Sequence, residues 1–262
     1  MLVIGERING MFEAVGKAIA NKDKEVIQNL AKQQFEAGAD TLDVNTGPAA
    51  ANQVDAMKWL VETIQEAVDV PLSLDSTKPE VIEAGLKLAK KKALINSTTA
   101  DPEKMDILIP MAKEYKAGLI GLTMDKKGIP RDRSQRGEFA AQIVTTCQDV
   151  GLDLDDLYLD PVILPVNVTQ PQAVEVLEAI REIRLLSAPP PKMLVGLSNI
   201  SQGMKDRSLI NRTFLAMAIG MGLEAAIMDP LDKDLMDAMI TAELLLNKNI
   251  YCDSYLEAYR RK

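Results

Sequence analysis

Carboxylates, amides and one hydroxyl stand just after short apolar runs in this chain: Glu6, Asn9, Asp43, Asn45, Asp75, Asn96, Asp160, Ser198, Asn199 and Asp229. An ionised carboxylate only accepts hydrogen bonds, whereas Asn both donates and accepts. Such a set suits a neutral heterocycle carrying amine and ring N–H groups, and it suits a phosphate poorly. None of the 262 residues is histidine. That excludes the usual neutral-pH proton shuttle, the commonest zinc ligand and every Ser–His or Cys–His nucleophile. It also excludes a histidine-ligated cobalamin carried by this chain. Acid–base work falls to carboxylates, amides, lysine, tyrosine or solvent.

Each of these residues has a competing role, because Asp, Ser and Asn are also good helix caps. Asp43 and Asp229 read as caps or supports for neighbouring side chains ahead of ligand contact. Glu6, Asn9 and Asn45 stay open between the two roles. Asp75 is followed by Ser76 and Thr77, and Asn96 by Ser97 and Thr98; those hydroxyls can cap instead. Asp160 precedes Pro161, which has no N–H to offer. Asp75, Asn96 and Asp160 are therefore expected to face a ligand. Several acids together can bind Mg²⁺ or Ca²⁺ through oxygen. These end different strands with no paired-acid spacing, so no metal of the chain's own is expected. Lys205 and Arg207 can pair with an acidic substrate tail or simply be solvated. Met217 and Met221 read as core filler.

The elements that must position these residues repeat. In 71–77 an apolar run ends in Asp75 and hydroxyl residues, the pattern of a buried parallel strand opening into a loop. Similar strands are predicted at 2–7, with a turn at 8–10, and at 41–45, 93–96, 118–124, 157–160, 193–197 and 225–229. Between them, amphipathic helices are predicted to end near Gly38 and to cover about 53–68, 79–90, 102–115, 137–150, 171–186, 209–222 and 233–246. A short helix follows from 253. A polar loop at 125–136 is expected to be a mobile cover or a solvated connection. About eight strand–helix alternations imply a parallel sheet closed as an α/β (β/α)8 TIM barrel in one domain, 1–262. An open doubly wound sheet is the alternative, but no G-x-G-x-x-G follows strand one. In such a barrel the site lies at the C-terminal ends of the strands.

The formal net charge of -8 argues against nucleic-acid binding, which needs a basic surface. Cys147 and Cys252 form no disulfide framework or metal knuckle, so a cytoplasmic location is expected. The first residues do not read as a signal peptide, and no run is apolar enough to suggest a membrane span.

Several motifs together resemble one family: Gly5-Glu6-Arg7-Ile8-Asn9-Gly10, Leu74-Asp75-Ser76-Thr77, Ile95-Asn96-Ser97-Thr98, Asp160-Pro161, Gly196-Leu197-Ser198-Asn199 and Leu209 to Ala218. Across essentially its whole length the chain is similar to the methyltetrahydrofolate:corrinoid/iron–sulfur protein methyltransferases of acetogenic bacteria, which are pterin-binding barrels of one-carbon metabolism in the Wood–Ljungdahl (acetyl-CoA) pathway. The resemblance implies pterin contacts at Asp75, Asn96 and Asp160, and a residue near pterin N5 at Asn199. It implies neighbouring contacts at Gly196, Ser198, Gln202 and Arg207. It further implies methyltetrahydrofolate as methyl donor and a Co(I) corrinoid (cobalamin) on a separate corrinoid/iron–sulfur protein as acceptor. A homodimer is expected as well. Dihydropteroate synthase shares the fold and pocket but carries Ser-Arg-Lys after strand seven, where this chain has Ser198-Asn199-Ile200. A different barrel enzyme and a non-catalytic folate-binding protein are the remaining alternatives.

Overall fold

The apolar runs become eight strands: β1 (Leu2–Asn9), β2 (Thr41–Asn45), β3 (Leu72–Asp75), β4 (Leu94–Thr99), β5 (Gly118–Leu122), β6 (Leu157–Asp160), β7 (Lys192–Gly196) and β8 (Ala225–Met228). They pair in sequence order and close as a barrel, with β8 parallel to β1. This computed structural model describes residues 1–48 and 50–260; the last two residues of the expected 1–262 domain lie outside the described ones. The helices are α1 (Glu13–Asn21), α2 (Lys24–Glu36), α3 (Gln53–Gln65), α4 (Pro79–Leu86), α5 (Pro102–Glu114), α6 (Arg133–Val150), α7 (Gln172–Ile183), α8 (Arg207–Met221), α9 (Lys233–Leu245) and α10 (Tyr255–Tyr259). The predicted TIM barrel is the observed architecture.

Local chemistry sets the helix starts. Asp23, Asn52, Asp101, Asp132 and Asp232 accept backbone N–H groups in the first turns of α2, α3, α5, α6 and α9. Proline opens α4 and α5, where its missing N–H costs nothing.

Side chains alternate across a strand, and this builds two separate interiors. Outward-facing Leu42, Val44, Leu72, Leu74, Ile95, Leu159 and Val195 join the helices in the large apolar core. Inward-facing Ile4, Leu94, Ile120, Leu194 and Ala225 form a small apolar plug inside the barrel. Nearer the C-terminal strand ends the inward positions turn polar, and there the site forms.

Some elements differ from the sequence expectation. β1 runs on through Asn9, and its register against β2 is irregular between Gly5 and Ile8. Two helices, not one, precede Gly38, because Lys22 takes a left-handed conformation at φ 54° between α1 and α2. The expected polar loop 125–136 is shorter. Asp125 and Gly128 pair as a tight antiparallel turn, α6 begins at Arg133, and Arg136 is fully buried. Met217 is 51% exposed on α8 and so does not fill the core.

Candidate active site

A cavity of about 680 Å³ opens at the C-terminal mouth of the barrel. Asp75, Asn96, Gly196, Ser198, Asn199, Gln202 and Arg207 line it, together with Glu6, Asn9, Asp43 and Asp229. Asp160 is set just behind Gly196. Its two carboxylate oxygens accept Val162 N at 2.7 Å and Gly196 N at 3.1 Å.

The floor is a polar network carried on β2, β3 and β4. In β2 the parity that turns Asn45 inward turns Asp43 inward too. Asp43 Oδ1 accepts Ser73 Oγ at 2.7 Å and Asn96 Nδ2 at 3.0 Å. It therefore caps no helix; it holds the Asn96 amide and reaches the cavity itself. Asn45 Nδ2 donates to Asp75 Oδ2 at 2.7 Å. The Asn96–Ser97 peptide is cis, and the β4–β5 register slips between Asn96 and Thr98.

This floor is short of water, and its acids respond. Burial, then the neighbouring charge of Asp75, pushes the Asp43 carboxyl up to about 8. Burial raises Asp75 as well, against the Asn45 hydrogen bond. Burial also lifts Asp160 to about 6, opposed by the Val162 and Gly196 amides and by Arg136. A raised carboxyl that keeps its proton donates and an ionised one accepts, so buried acids of this kind suit a heterocycle edge that carries both donors and acceptors.

The wall after β7 is a short 3-10 turn, Leu197–Ser201. Ser198 donates its hydroxyl to Glu6 Oε1 at 2.6 Å and so ties this wall to β1. Burial raises the Glu6 carboxyl. From the start of α8, Arg207 straps the same turn, donating from Nη2 to Ser198 O and from Nε to Ser201 Oγ, each at 3.1 Å. A β-carbon on Gly196 would lie 3.0 Å from Asn199 Nδ2, so glycine lets the amide pack close to the strand end. Among the described residues, the Asn199 side chain has no hydrogen-bond partner. Opposite, Asn9 Oδ1 accepts Met11 N at 2.9 Å. Asp229 Oδ1 caps its own loop at Leu231 N, at 3.0 Å, and Oδ2 pairs with Arg7 at 3.4 Å. Lys205 is exposed and does not line the cavity.

Sequence reasoning missed Arg136 and undervalued Asp43. Strand parity in Thr41-Leu42-Asp43-Val44-Asn45 was a signal for Asp43. Arg136 had none, standing among other charges in a stretch that reads as polar loop but begins α6. Among the described residues, no group of three or more Cys, Asp or Glu side chains is arranged to hold a metal ion. No helix among them is long and apolar enough to cross a membrane.

Residues 7–229 match the family described as pterin binding enzyme. The chain is 34% identical over 266 aligned positions to the methylcorrinoid:tetrahydrofolate methyltransferase of Eubacterium limosum, covering 100% of this chain and 97% of that protein. It is 29% identical to the methionine synthase of Mycobacterium tuberculosis over 87% of this chain, but spans only 20% of that longer protein. A dihydropteroate synthase from Coxiella burnetii, solved with pteroic acid, superposes with a TM-score of 0.72 at 16% identity, covering 95% of this chain and 94% of that one. At that identity the last likeness speaks for the fold alone.

Proposed function

We propose that this chain, which belongs to the pterin-binding enzyme family, moves a methyl group between N5 of a folate and the cobalt of a corrinoid held by a second protein. The observation that carries the reading is Asn199, whose unpartnered amide faces a cavity floored by Asp43, Asp75 and Asn96. In the forward direction the methyl group leaves methyltetrahydrofolate for Co(I), as the sequence reading holds. The E. limosum relative is named for the opposite direction. One site serves both, because a reaction and its reverse share a transition state and the site is built to bind that state.

Cobalt(I) is itself a strong nucleophile, so the chain need not activate one. The obstacle is N5, a poor leaving group unless it is protonated or strongly hydrogen-bonded. Asn199 can accept from a protonated N5 and donate to an unprotonated one. It follows the proton without being its source. Asp75, Asn96 and Asp160 anchor the pterin and set the methyl group's line of approach, with Gly196, Ser198, Gln202 and Arg207 beside them. A metal of the chain's own has no part in this reading.

The acceptor has to reach the mouth. Met11, Phe12, Val168, Leu209 and Leu231 are exposed apolar side chains in the loops and first helical turn at that end. Apolar side chains exposed around the mouth would meet the acceptor there, and a corrinoid/iron–sulfur protein is the acceptor we favour. The chain works as one domain over 1–262, in the cytoplasm, as a homodimer joined through outer helices that leave the mouth open. A dihydropteroate-synthase-like reaction fits less well, because pyrophosphate displacement calls for cations where Ser198-Asn199-Ile200 stands.

The test is methyl transfer from methyltetrahydrofolate to free Co(I) cobalamin, followed by the cobalamin spectrum. Transfer above the uncatalysed rate is the expected result. Folate binding without transfer to any reduced corrinoid would leave only a binding protein.

A further inference from the structure

We propose that Arg136 is a positioning residue for Asp160, acting through the left-handed backbone of Val162. The inference rests on the reading of Asp160 as a folate contact. Arg136, on the first turn of α6, is fully buried. Its Nε donates to Pro161 O at 2.6 Å, and its Nη2 to Gln172 Oε1 at 2.6 Å and to Val162 O at 3.5 Å. Gln172 in turn donates to Arg131 O. One guanidinium thus joins α6, α7 and the loop after β6.

What it grips is unusual. Val162 has φ 58°, a conformation that a β-branched residue rarely adopts. Pro161 has no N–H, so the amide of Val162 is the first one after Asp160 able to turn back, and it donates to Asp160 Oδ1 at 2.7 Å. The carbonyls of Pro161 and Val162 bracket the rotatable bonds of Val162. A rigid planar fork that holds both fixes the turn, as a flexible ammonium cannot. The fork also places a positive charge behind Asp160. Groups facing Arg136 are Glu175 on α7, Asp132 at the α6 cap and Asp160 itself. The charged group acting on Asp160 is Arg136, beside the amides of Val162 and Gly196. Arg136 touches neither the cavity nor the reacting atoms.

The test has two readouts, one needing no folate. First, the Asp160 carboxyl carbon is titrated by NMR in the ligand-free protein. The wild-type midpoint is expected near 6, to rise in Arg136→Met, where both the charge and the grip on the Val162 turn are lost, and to rise less in Arg136→Lys, where the charge stays and only the grip is lost. An unmoved midpoint in folded Arg136→Met overturns the inference, whatever the folate result. Second, methyltetrahydrofolate affinity is measured by calorimetry in Arg136→Lys, Val162→Gly and the double variant. Arg136→Lys is expected to weaken binding by about 10-fold, the low end for hydrogen bonds to charged groups, and by clearly less when glycine at 162 adopts the turn freely. Strictly additive losses overturn the proposal even if Arg136→Met does not fold. Absence of folate binding in the wild type would defeat the proposed function, while the NMR titration would still decide this inference.

Discussion

Asn45 donates its side-chain amide across neighbouring strands to Asp75 at 2.7 Å, while its Oδ1 accepts Gly47 N, also at 2.7 Å. It thereby fixes the rotamer of a carboxylate that faces the cavity. The bond also favours the ionised form of Asp75, which burial opposes. Asn45→Ala is expected to raise the Asp75 carboxyl further. Folate affinity near neutral pH should then fall by about 10-fold or more, on the scale of a hydrogen bond to a charged group. The loss should shrink at higher pH, where Asp75 ionises again. Calorimetry of variant and wild type at two pH values checks it; affinity equal to wild type at both, in a folded variant, removes Asn45 from any part in binding.

Asp43 makes a prediction about stability. It is 4% exposed, and burial first, then Asp75, carries its carboxyl up to about 8. In the unfolded chain an Asp titrates near ~4. Between those values the folded protein holds a proton that the unfolded chain has released. Stability therefore falls as pH rises from about 4 to 8 and levels off above. Glu6, Asp75 and Asp160 slope the same way, so the comparison must be with a variant. Asp43→Asn cannot ionise and should show a flatter decline in its urea midpoint between about pH 6 and 8. Parallel declines for the two proteins would show that Asp43 is ionised in the fold.

The loops after β1 and β2 meet backbone to backbone at Gly10 and Gly47. A β-carbon on Gly10 would lie 2.3 Å from Thr46 O, and one on Gly47 would lie 2.5 Å from the carbonyl carbon of Gly10. Gly47 also has φ 70°. Gly10→Ala should cost about 1–3 kcal/mol, as overpacking against a fixed partner does. It should also displace Asn9, Met11 and Phe12 at the mouth. Urea unfolding measures the first effect and folate affinity the second. A variant as stable as wild type would mean that the two loops can separate freely.

The barrel was legible because its signals are local. Apolar runs ended in polar residues eight times over, and Pro79 and Pro102 fit the first turns of α4 and α5 by their own chemistry. The strand ends carrying Asp75, Asn96, Gly196 and Ser198 followed directly from that pattern, and the structure brings them to one cavity. What stayed hidden depends on partners distant in sequence. Asp43 reads as a cap until Ser73 and Asn96 are seen to close around it. Arg136 reads as one more charge in a polar stretch, because its burial is decided by carbonyls more than twenty residues away. The break at Lys22 was illegible for another reason: a lysine in a left-handed conformation carries none of glycine's sequence mark.

Asn199 is the residue on which the proposed reaction most depends. As the bland alternative has it, its side chain caps the 3-10 turn and only holds shape. The turn is held otherwise: Asn199 accepts Gln202 N through its backbone oxygen at 3.2 Å, Arg207 grips Ser198 O and Ser201 Oγ, and Ser198 is tied to Glu6. The Asn199 side chain contributes no hydrogen bond to this frame, so truncating it should leave the frame intact. If the amide bonds N5 mainly as charge develops there, it stabilises the transition state more than the bound substrate. Asn199→Ala should then lower the single-turnover rate constant at saturating methyltetrahydrofolate by about 10- to 150-fold, from roughly 1.5–3 kcal/mol for a hydrogen bond to a charged group. Its effect on folate affinity, measured separately, should be clearly smaller. An unchanged rate constant at saturation would defeat the N5 role even if binding were weaker, and would shift attention to Ser198 and Glu6 on the same wall.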